Sequence, residues 1–169
     1  MQHLAISLLA ILLTACASGT GYQYPTGPTA RPSITTVTLN EAFHIRADRA
    51  NEYIQYGEIK PYNKIVEYYP HCFFELRSVS ETARTVSPET FIVTKISRDR
   101  FMAGFRRIMV AGGGGDYNPV MSTTQISLHS DTQPEVFRLS CRQLDEPYLA
   151  RHVSLQQMRD ALGGLFTLE

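Results

Sequence analysis

Apolar and polar residues alternate with a period of two along much of the chain, and this pattern predicts β-strands. The clearest examples are residues 72–77 and 137–142, in which apolar side chains alternate with charged or polar ones. Successive side chains of a strand point to opposite faces of its sheet, so each segment has one apolar face and one polar face. Similar apolar or β-branched runs predict further strands at residues 35–39, 43–46, 91–96, 100–110 and 120–128.

The period changes near the C-terminus, where the pattern becomes helical. Ser154 and Gln157 have the spacing of a capping box, and Gly163 stands where a glycine ends a helix. Four apolar residues fall on one face of this helix: Leu155, Met158, Ala161 and Leu162. The sequence therefore predicts a mainly β fold, an antiparallel β-sandwich or open barrel with one short C-terminal helix.

The N-terminus differs from the rest of the chain. Residues 4–15 are apolar except for Ser7 and Thr14. As a helix they span roughly 18 Å, whereas the apolar core of a bilayer is about 30 Å thick. A stretch of this length is typical of the core of a signal peptide.

The tetrapeptide Leu13-Thr14-Ala15-Cys16 resembles the lipobox of bacterial lipoproteins. The resemblance implies that residues 1–15 are a signal peptide and that Cys16 carries the lipid, with diacylglycerol on its thiol and a further acyl chain such as palmitate on its amine. Several acyl chains together make a stable membrane anchor. The alternative is an ordinary signal peptide that happens to contain a cysteine.

Residues 16–33 predict a lipidated cysteine followed by a flexible tether, because Gly, Ser, Thr and Pro dominate and no hydrophobic period exists. The alternative for this segment is a recognition element that includes Tyr22 and Tyr24. In lipoproteins of enteric-type bacteria, Asp directly after the cysteine favours the inner membrane. Ala17 and Ser18 therefore favour the outer membrane, facing the periplasm, with the inner membrane as the alternative. Residues 34–169 form a single β-rich periplasmic domain in this interpretation.

Composition narrows the choice of partners. The chain has 169 residues, with 16 Lys plus Arg and 16 Asp plus Glu. A balanced charge provides neither the basic footprint of a nucleic-acid-binding protein nor a polybasic patch for anionic lipid. We therefore expect membrane attachment through the lipid anchor, an envelope protein as a possible partner, and no nucleic acid.

Cys72 and Cys141 remain once Cys16 is assigned to the anchor. Each lies on the apolar face of its strand, and paired thiols usually close in an oxidising compartment. A disulfide between them closes a loop of roughly 70 residues and is worth about 4 kcal/mol in the chain-entropy model. A redox-active or metal-binding pair is the alternative, but the chain has no C-x-x-C motif.

Several short motifs resemble those of a family of small, uncharacterised proteobacterial envelope lipoproteins. The motifs are Tyr69 to Leu76, Pro88-x-x-Phe91-x-Val93, Arg138 to Arg142 and Ser154 to Gly163. The resemblance covers residues 60–165 approximately. It implies an envelope location and the disulfide, but no activity.

The motifs of catalysis and metal binding are weak. The histidines at positions 44, 71, 129 and 152 form no ligand pair, so neither a metal nor another cofactor is expected, and His44 and His129 should be solvated. The glycines at 112–115 lack the Gly-Lys-Ser/Thr of a P-loop. The sequence His129-Ser130-Asp131 has the letters of a hydrolase triad, but neighbours in sequence cannot adopt its geometry. No pair stands out among Glu41, Glu52, Glu58, Glu67 and Glu75.

The tyrosines are the strongest candidate for a binding site. Five of them lie between residues 53 and 69: Tyr53, Tyr56, Tyr62, Tyr68 and Tyr69. Tyrosine combines a rigid aromatic face with a polar tip, although it is also a common strand residue. We therefore expect a non-catalytic interaction or assembly-accessory module rather than an enzyme, using this surface or the loop at 112–119. A small-ligand or glycan binder is the alternative, and a hydrolase is less favoured.

Overall fold

The computed structural model describes residues 33–104 and 118–169. Two 3₁₀ helices, Tyr62–Lys64 and Gly163–Leu165, accompany the main elements of these two ranges. The main elements are β1 (Thr36–Leu39), β2 (Phe43–Ile45), β3 (Arg49–Gln55), β4 (Glu58–Lys60), β5 (His71–Ser80), β6 (Arg84–Val86), β7 (Glu89–Met102), β8 (Val120–His129), β9 (Val136–Asp145), α1 (Leu155–Leu162) and β10 (Phe166–Leu168).

Eight strands form one antiparallel sheet, and its curl confirms the predicted fold class in its open-barrel form. The strand order is β10-β1-β7-β8-β9-β5-β3-β4, and β2 pairs separately with β6. The sheet curls into a half-barrel, with one short helix near the C-terminus. Helix α1 packs on β3 and β5 near one end of this order and on β10 at the other. The helix therefore fills the opening that the curled sheet leaves.

Four phenylalanines form the centre of the core. The ring of Phe74 lies 5.3 Å from that of Phe43, 5.1 Å from Phe166 and 6.0 Å from Phe91, measured between centroids. These residues come from β5, β2, β10 and β7, and all four are buried. Contacts at these distances add to the free energy of burying the rings.

The disulfide joins two neighbouring strands of the sheet and confirms the pairing expected from the sequence. Cys72 of β5 lies directly opposite Cys141 of β9, with their Cα atoms 4.0 Å apart. Both cysteines are fully buried with Phe74 in the core. We call this the inner face of the sheet. The outer face carries the alternate residues, among them Phe73 and Arg142.

The C-terminal helix begins and ends where its sequence predicts. The Ser154 side chain accepts a hydrogen bond from the backbone of Gln157, whose side chain accepts one from the backbone of Ser154. Gly163 ends the helix with φ +57°, and its N–H donates to the Arg159 carbonyl. Met158, Ala161 and Leu162 are buried, as the helical period requires.

The strand boundaries differ from the sequence prediction in four places. The predicted strands at 91–96 and 100–110 are one strand, β7, which bends at a register shift between Val93 and Lys95 and ends at Met102. Residues 105–110 lie outside the described residues. The tyrosine-rich segment divides into β3, β4 and a 3₁₀ helix. The short strands β6 and β10 were not predicted, because three residues carry too little alternation to be recognised.

Candidate interaction surface

Tyr56 occupies an unusual position, in a two-residue turn between β3 and β4. Gln55 pairs with Glu58 across the turn, and Tyr56 and Gly57 have φ values of +58° and +75°. Positive φ at both positions is the geometry of a type I′ hairpin, which favours Asn, Asp or Gly at the first position. A bulky side chain is unfavourable there. The side chain of Tyr56 is nevertheless 58% exposed and therefore not used to fill the core.

Helix α1 holds this turn in place. The N–H of Gly57 donates to the carbonyl of Ala161 at 2.9 Å. The backbones of Gly57 and Gly163 are so close that a Cβ added to Gly163 meets the Gly57 Cα at 2.6 Å. The direction in which Tyr56 projects is therefore set by the packing of the helix end against the hairpin.

A second exposed tyrosine lies next to Tyr56. The ring of Tyr69 is 55% exposed, and its centroid is 6.4 Å from that of Tyr56. Lys60 lies on β4, and its ammonium is 5.5 Å from the centroid of the Tyr56 ring. We call Tyr56 and Tyr69 the tyrosine pair.

Two further tyrosines form a cluster around Arg142 on the outer face. The Tyr53 ring lies 5.1 Å from Tyr62 and 5.5 Å from Phe73. The Arg142 guanidinium lies 5.1 Å from the Phe73 ring, 5.6 Å from Tyr53 and 6.0 Å from Tyr62. A guanidinium at these distances is attracted by the negative faces of the rings. We call these four residues the Arg142 cluster.

Buried His71 connects the tyrosine pair to the Arg142 cluster. Its Nδ1–H donates to the Tyr69 carbonyl at 3.0 Å, and its Nε2 accepts from Nε of Arg142 at 3.0 Å. The pKa of His71 is lowered to about 4, mainly by burial and also by the charge of Arg142, while the hydrogen bond with the Tyr69 carbonyl opposes the shift. The ring is therefore neutral at physiological pH, as a histidine that accepts from a guanidinium must be.

The segment between β4 and β5 is held in place by side-chain and backbone hydrogen bonds. Gln55, fully buried, donates to the carbonyl of Val66 and accepts from its N–H. The N–H of Leu144 donates to the carbonyl of Glu67. The Tyr62 hydroxyl donates to Glu67 Oε1 at 2.5 Å, and this bond raises the pKa of Tyr62.

The structure thus places four of the five predicted tyrosines in two groups. Tyr56 and Tyr69 are adjacent and exposed, whereas Tyr53 is half-buried beneath Tyr62. Tyr68 is exposed, and its carbonyl accepts from Gln143.

Sequence reasoning missed the roles of His71, Phe73 and Arg142. A usable signal existed, because pairing Cys72 with Cys141 in antiparallel register places His71 opposite Arg142 and Phe73 on the outer face. The register follows once the disulfide is accepted.

A polar cavity of about 410 Å³ lies beside the end of β9. Its walls include Gln143, Asp145, Arg151 and His152. Burial raises the pKa of Asp145, although hydrogen bonds from the Arg151 backbone and Gln143 oppose this. Burial lowers the pKa of His152, and the charges of Arg100 and Arg98 lower it further. Both shifts favour the neutral forms of these two groups.

The weaker motifs have structural roles. His44 and His129 are exposed, as predicted. Ser130 is buried and donates to Glu89, while His129 lies 3.1 Å from Asp131, so the three neighbours do not form a catalytic relay. Among the described residues, no three His, Cys, Asp or Glu side chains are placed to bind a metal. The glycines at 112–115 lie outside the described residues.

The candidate carboxylates do not act as a pair. Glu52, Glu58, Glu67 and Glu75 bind separate partners, which are respectively Arg46, Lys60, Tyr62 and Arg138. Burial raises the pKa of Glu52, but the hydrogen bonds and charge of Arg46 outweigh it and the net shift is downward.

Within residues 33–104 and 118–169, no helix is long and apolar enough to span a bilayer. No family model, curated protein or solved structure matches this chain.

Proposed function

We propose that this protein is a non-catalytic envelope lipoprotein, anchored through Cys16, that docks on another envelope protein through its tyrosine pair. The observation that carries the proposal is the backbone of Tyr56. A non-glycine residue in the left-handed region costs roughly 1–2 kcal/mol, and an exposed ring gains little core burial in return. Strained, exposed positions of this kind are concentrated at functional sites.

The surroundings of Tyr56 have the character of a protein interface. Tyrosine and arginine are enriched among the residues that dominate binding energy. Six large apolar or aromatic residues between positions 56 and 69 are exposed: Tyr56, Ile59, Tyr62, Val66, Tyr68 and Tyr69. Hydrogen bonds join His71 to the Tyr69 carbonyl and to Arg142 beneath this surface, and a surface that is already held in one conformation loses less entropy on binding.

The substitution Tyr56→Asn separates binding from folding. Asn tolerates the left-handed conformation, so the variant should be as stable as the wild type or more stable by about 0.5–1 kcal/mol. A photo-cross-linker at exposed Ile59 in intact cells should lose its adduct in this variant, since the aromatic anchor is gone. Thermal denaturation and mass-spectrometric identification of the adduct measure the two effects.

The matched control is Tyr148→Asn, which removes an equally exposed tyrosine outside the surface. It should leave the adduct in place. If Tyr56→Asn lowers the melting temperature and leaves the adduct unchanged per folded molecule, the ring is structural and the docking role is rejected.

The anchor has a test of its own. Cys16→Ala should move the protein from the membrane fraction to the soluble periplasmic fraction, because the lipobox cysteine is the residue to which the lipid is attached. Unchanged partitioning would show that another feature holds the protein at the membrane. This result tests the lipid anchor alone, and the docking proposal does not depend on it.

A second candidate function is the binding of a small polar ligand in the Asp145–His152 cavity. The observation in its favour is that the buried Nδ1 of His152 has no hydrogen-bond partner among the described residues. Buried polar atoms are rarely left without a partner. Thermal-shift screening with sugars, amino acids and organic acids should identify a stabilising compound, and His152→Phe should abolish its effect. A stabilisation that persists in His152→Phe would place the ligand elsewhere.

A further inference from the structure

One end of the inner face of the sheet is polar. Along β8, Ile126 and Leu128 point into the core, and the same face continues through Thr124 and Ser122. Ser122 lies opposite Gln143 of β9, and Gln143 lines the Asp145–His152 cavity. The inner face therefore changes from apolar to hydroxyl-bearing where it reaches the cavity.

Two hydroxyl groups at this end are buried without a partner. Ser122 and Thr124 are both 0% exposed, and neither hydroxyl has a hydrogen-bond partner among the described residues. The same holds for Nδ1 of His152, whose ring contacts the backbone of Thr123 between them. We call Ser122, Thr124 and His152 the polar end of the inner face.

The three groups of the polar end are uncharged. Buried polar atoms rarely lack a partner, so three of them together indicate a site that another molecule completes. A hydroxyl both donates and accepts, and a neutral imidazole has one donor and one acceptor nitrogen. A ligand hydroxyl can pair with each of these groups, whereas a carboxylate only accepts and an ammonium only donates.

The charged groups that line the cavity are already engaged with each other. Asp145 Oδ1 accepts from Nε2 of Gln143 at 3.1 Å, and the Asp145 carboxylate also accepts from the backbone of Arg151. The positive charge of Arg151 lies close enough to favour the ionised form of Asp145. The two opposite charges of the lining therefore balance.

Two cations nearby make an anion the main alternative. Arg98 pairs in register with Thr124 and Arg100 with Ser122, and the charges of both lower the pKa of His152. The cavity is lined by other residues, and Arg98 already interacts with another group. An anionic form of the ligand is therefore part of the test below.

We infer that the polar end binds a small, uncharged, hydroxyl-rich ligand of the size of a mono- or disaccharide. The cavity volume of about 410 Å³ is within the range of about 300–1,000 Å³ that small-molecule sites occupy. This inference rests on the second candidate function above and names its ligand class. It is independent of the tyrosine pair.

Isothermal titration calorimetry of the full chain, in a detergent without a sugar head group, tests the ligand class. The probes are methyl glycosides of several hexoses, each as the uncharged sugar, the uronate and the amino sugar. At least one uncharged glycoside should bind with a millimolar or lower Kd. Its two charged forms should bind at least about fivefold more weakly, because burying a charge without a counter-charge is costly.

Hydroxyl deletions test the location. Ser122→Ala and Thr124→Val should each weaken binding of the uncharged glycoside by about five- to tenfold, which corresponds to one hydrogen bond. Neither should lower the melting temperature, since no hydrogen bond within the described residues is lost. Ser140→Ala is the matched control, because Ser140 is equally buried and unpartnered but lies opposite Phe73 on the outer face. It should leave the affinity unchanged.

Three results would overturn the inference. Binding of a uronate or amino sugar as tight as that of its uncharged form rejects the ligand class and leaves the cavity as a site. Binding that both hydroxyl deletions leave unchanged, or that Ser140→Ala weakens equally, places the ligand elsewhere. Absence of binding by every probe, with the thermal-shift screen also negative, means that water alone completes the polar end and rejects the second candidate function too.

Discussion

At the scale of single residues, Arg142 lies on the outer face of the sheet, yet aromatic rings and the imidazole of His71 hold it in a fixed position. The guanidinium lies against three rings and donates from Nε to a neutral imidazole. Lysine has neither the flat face nor the directed Nε–H. The sequence marks Arg142 only as a polar strand position, and its importance comes from what the adjacent strands place around it.

The neutral state of His71 predicts a dependence of stability on pH. Its pKa is about 4 in the folded protein and about 6.5 in the unfolded chain. Between these values the unfolded state binds more protons, so the stabilising contribution is complete above pH 6.5 and is lost as the pH falls toward 4. The loss amounts to roughly 3 kcal/mol in the free energy of unfolding.

Urea denaturation at several pH values measures this loss. His71→Gln should have a distinctly shallower slope of stability against pH in this window, whatever its absolute stability. Burial also lowers the pKa of His152, so protonation of that residue also reduces stability as the pH falls. The part of the pH dependence that is due to His152 therefore remains in His71→Gln. Identical slopes in wild type and His71→Gln would contradict the assignment of a neutral, buried His71.

At the scale of elements, the most restrictive contact joins the hairpin of β3 and β4 to the end of α1. The helix ends at Gly163, whose φ is +57°, and the Gly57 backbone lies directly against it. The capping box at Ser154 and this glycine contact define the two ends of a helix that is too short to be stable alone. Tertiary packing is therefore what keeps α1, and with it the orientation of Tyr56, in place.

The two glycines after α1 provide a matched pair of substitutions. Gly163→Ala introduces a Cβ 2.6 Å from the Gly57 Cα at a positive φ, and we expect it to lower the free energy of unfolding by about 1–3 kcal/mol. Gly164→Ala meets no atom within 4 Å, and we expect a change within about 0.5 kcal/mol. Equal effects of the two substitutions in urea denaturation would refute the contact between hairpin and helix end.

At the scale of the whole molecule, the disulfide holds together parts of the chain that are distant in sequence. Cys72 and Cys141 are 69 positions apart, yet they lie on adjacent strands near the middle of the sheet. The β5–β9 pairing is not a hairpin, so nothing local brings these strands together. The disulfide stabilises this long-range pairing, because it reduces the conformational entropy of the unfolded chain.

Replacing both bridged cysteines with alanine should lower the free energy of unfolding by about 4 kcal/mol, as expected for a loop of this length. Cys16→Ala is the control, because that cysteine takes no part in the bridge, and it should leave the value unchanged. Non-reducing peptide mapping should recover the fragments of Cys72 and Cys141 joined. Free alkylation of both thiols without reductant would contradict the bridge.

The sequence by itself determined the local elements and the one covalent link. Alternation located most of the long strands, the capping box and Gly163 bounded α1, and the apolar faces of two segments predicted the bridge between Cys72 and Cys141. These features are readable because strand period, capping and side-chain direction depend on residues close together in the chain.

Only the tertiary structure decided which strands are neighbours, and the candidate sites follow from that. It placed β9 between β8 and β5 and brought Tyr62 over Tyr53 beside Arg142. It also put Tyr56 at a turn position that its residue type disfavours. Pairings between distant strands depend on how the whole core packs, and no local pattern of residues records that choice.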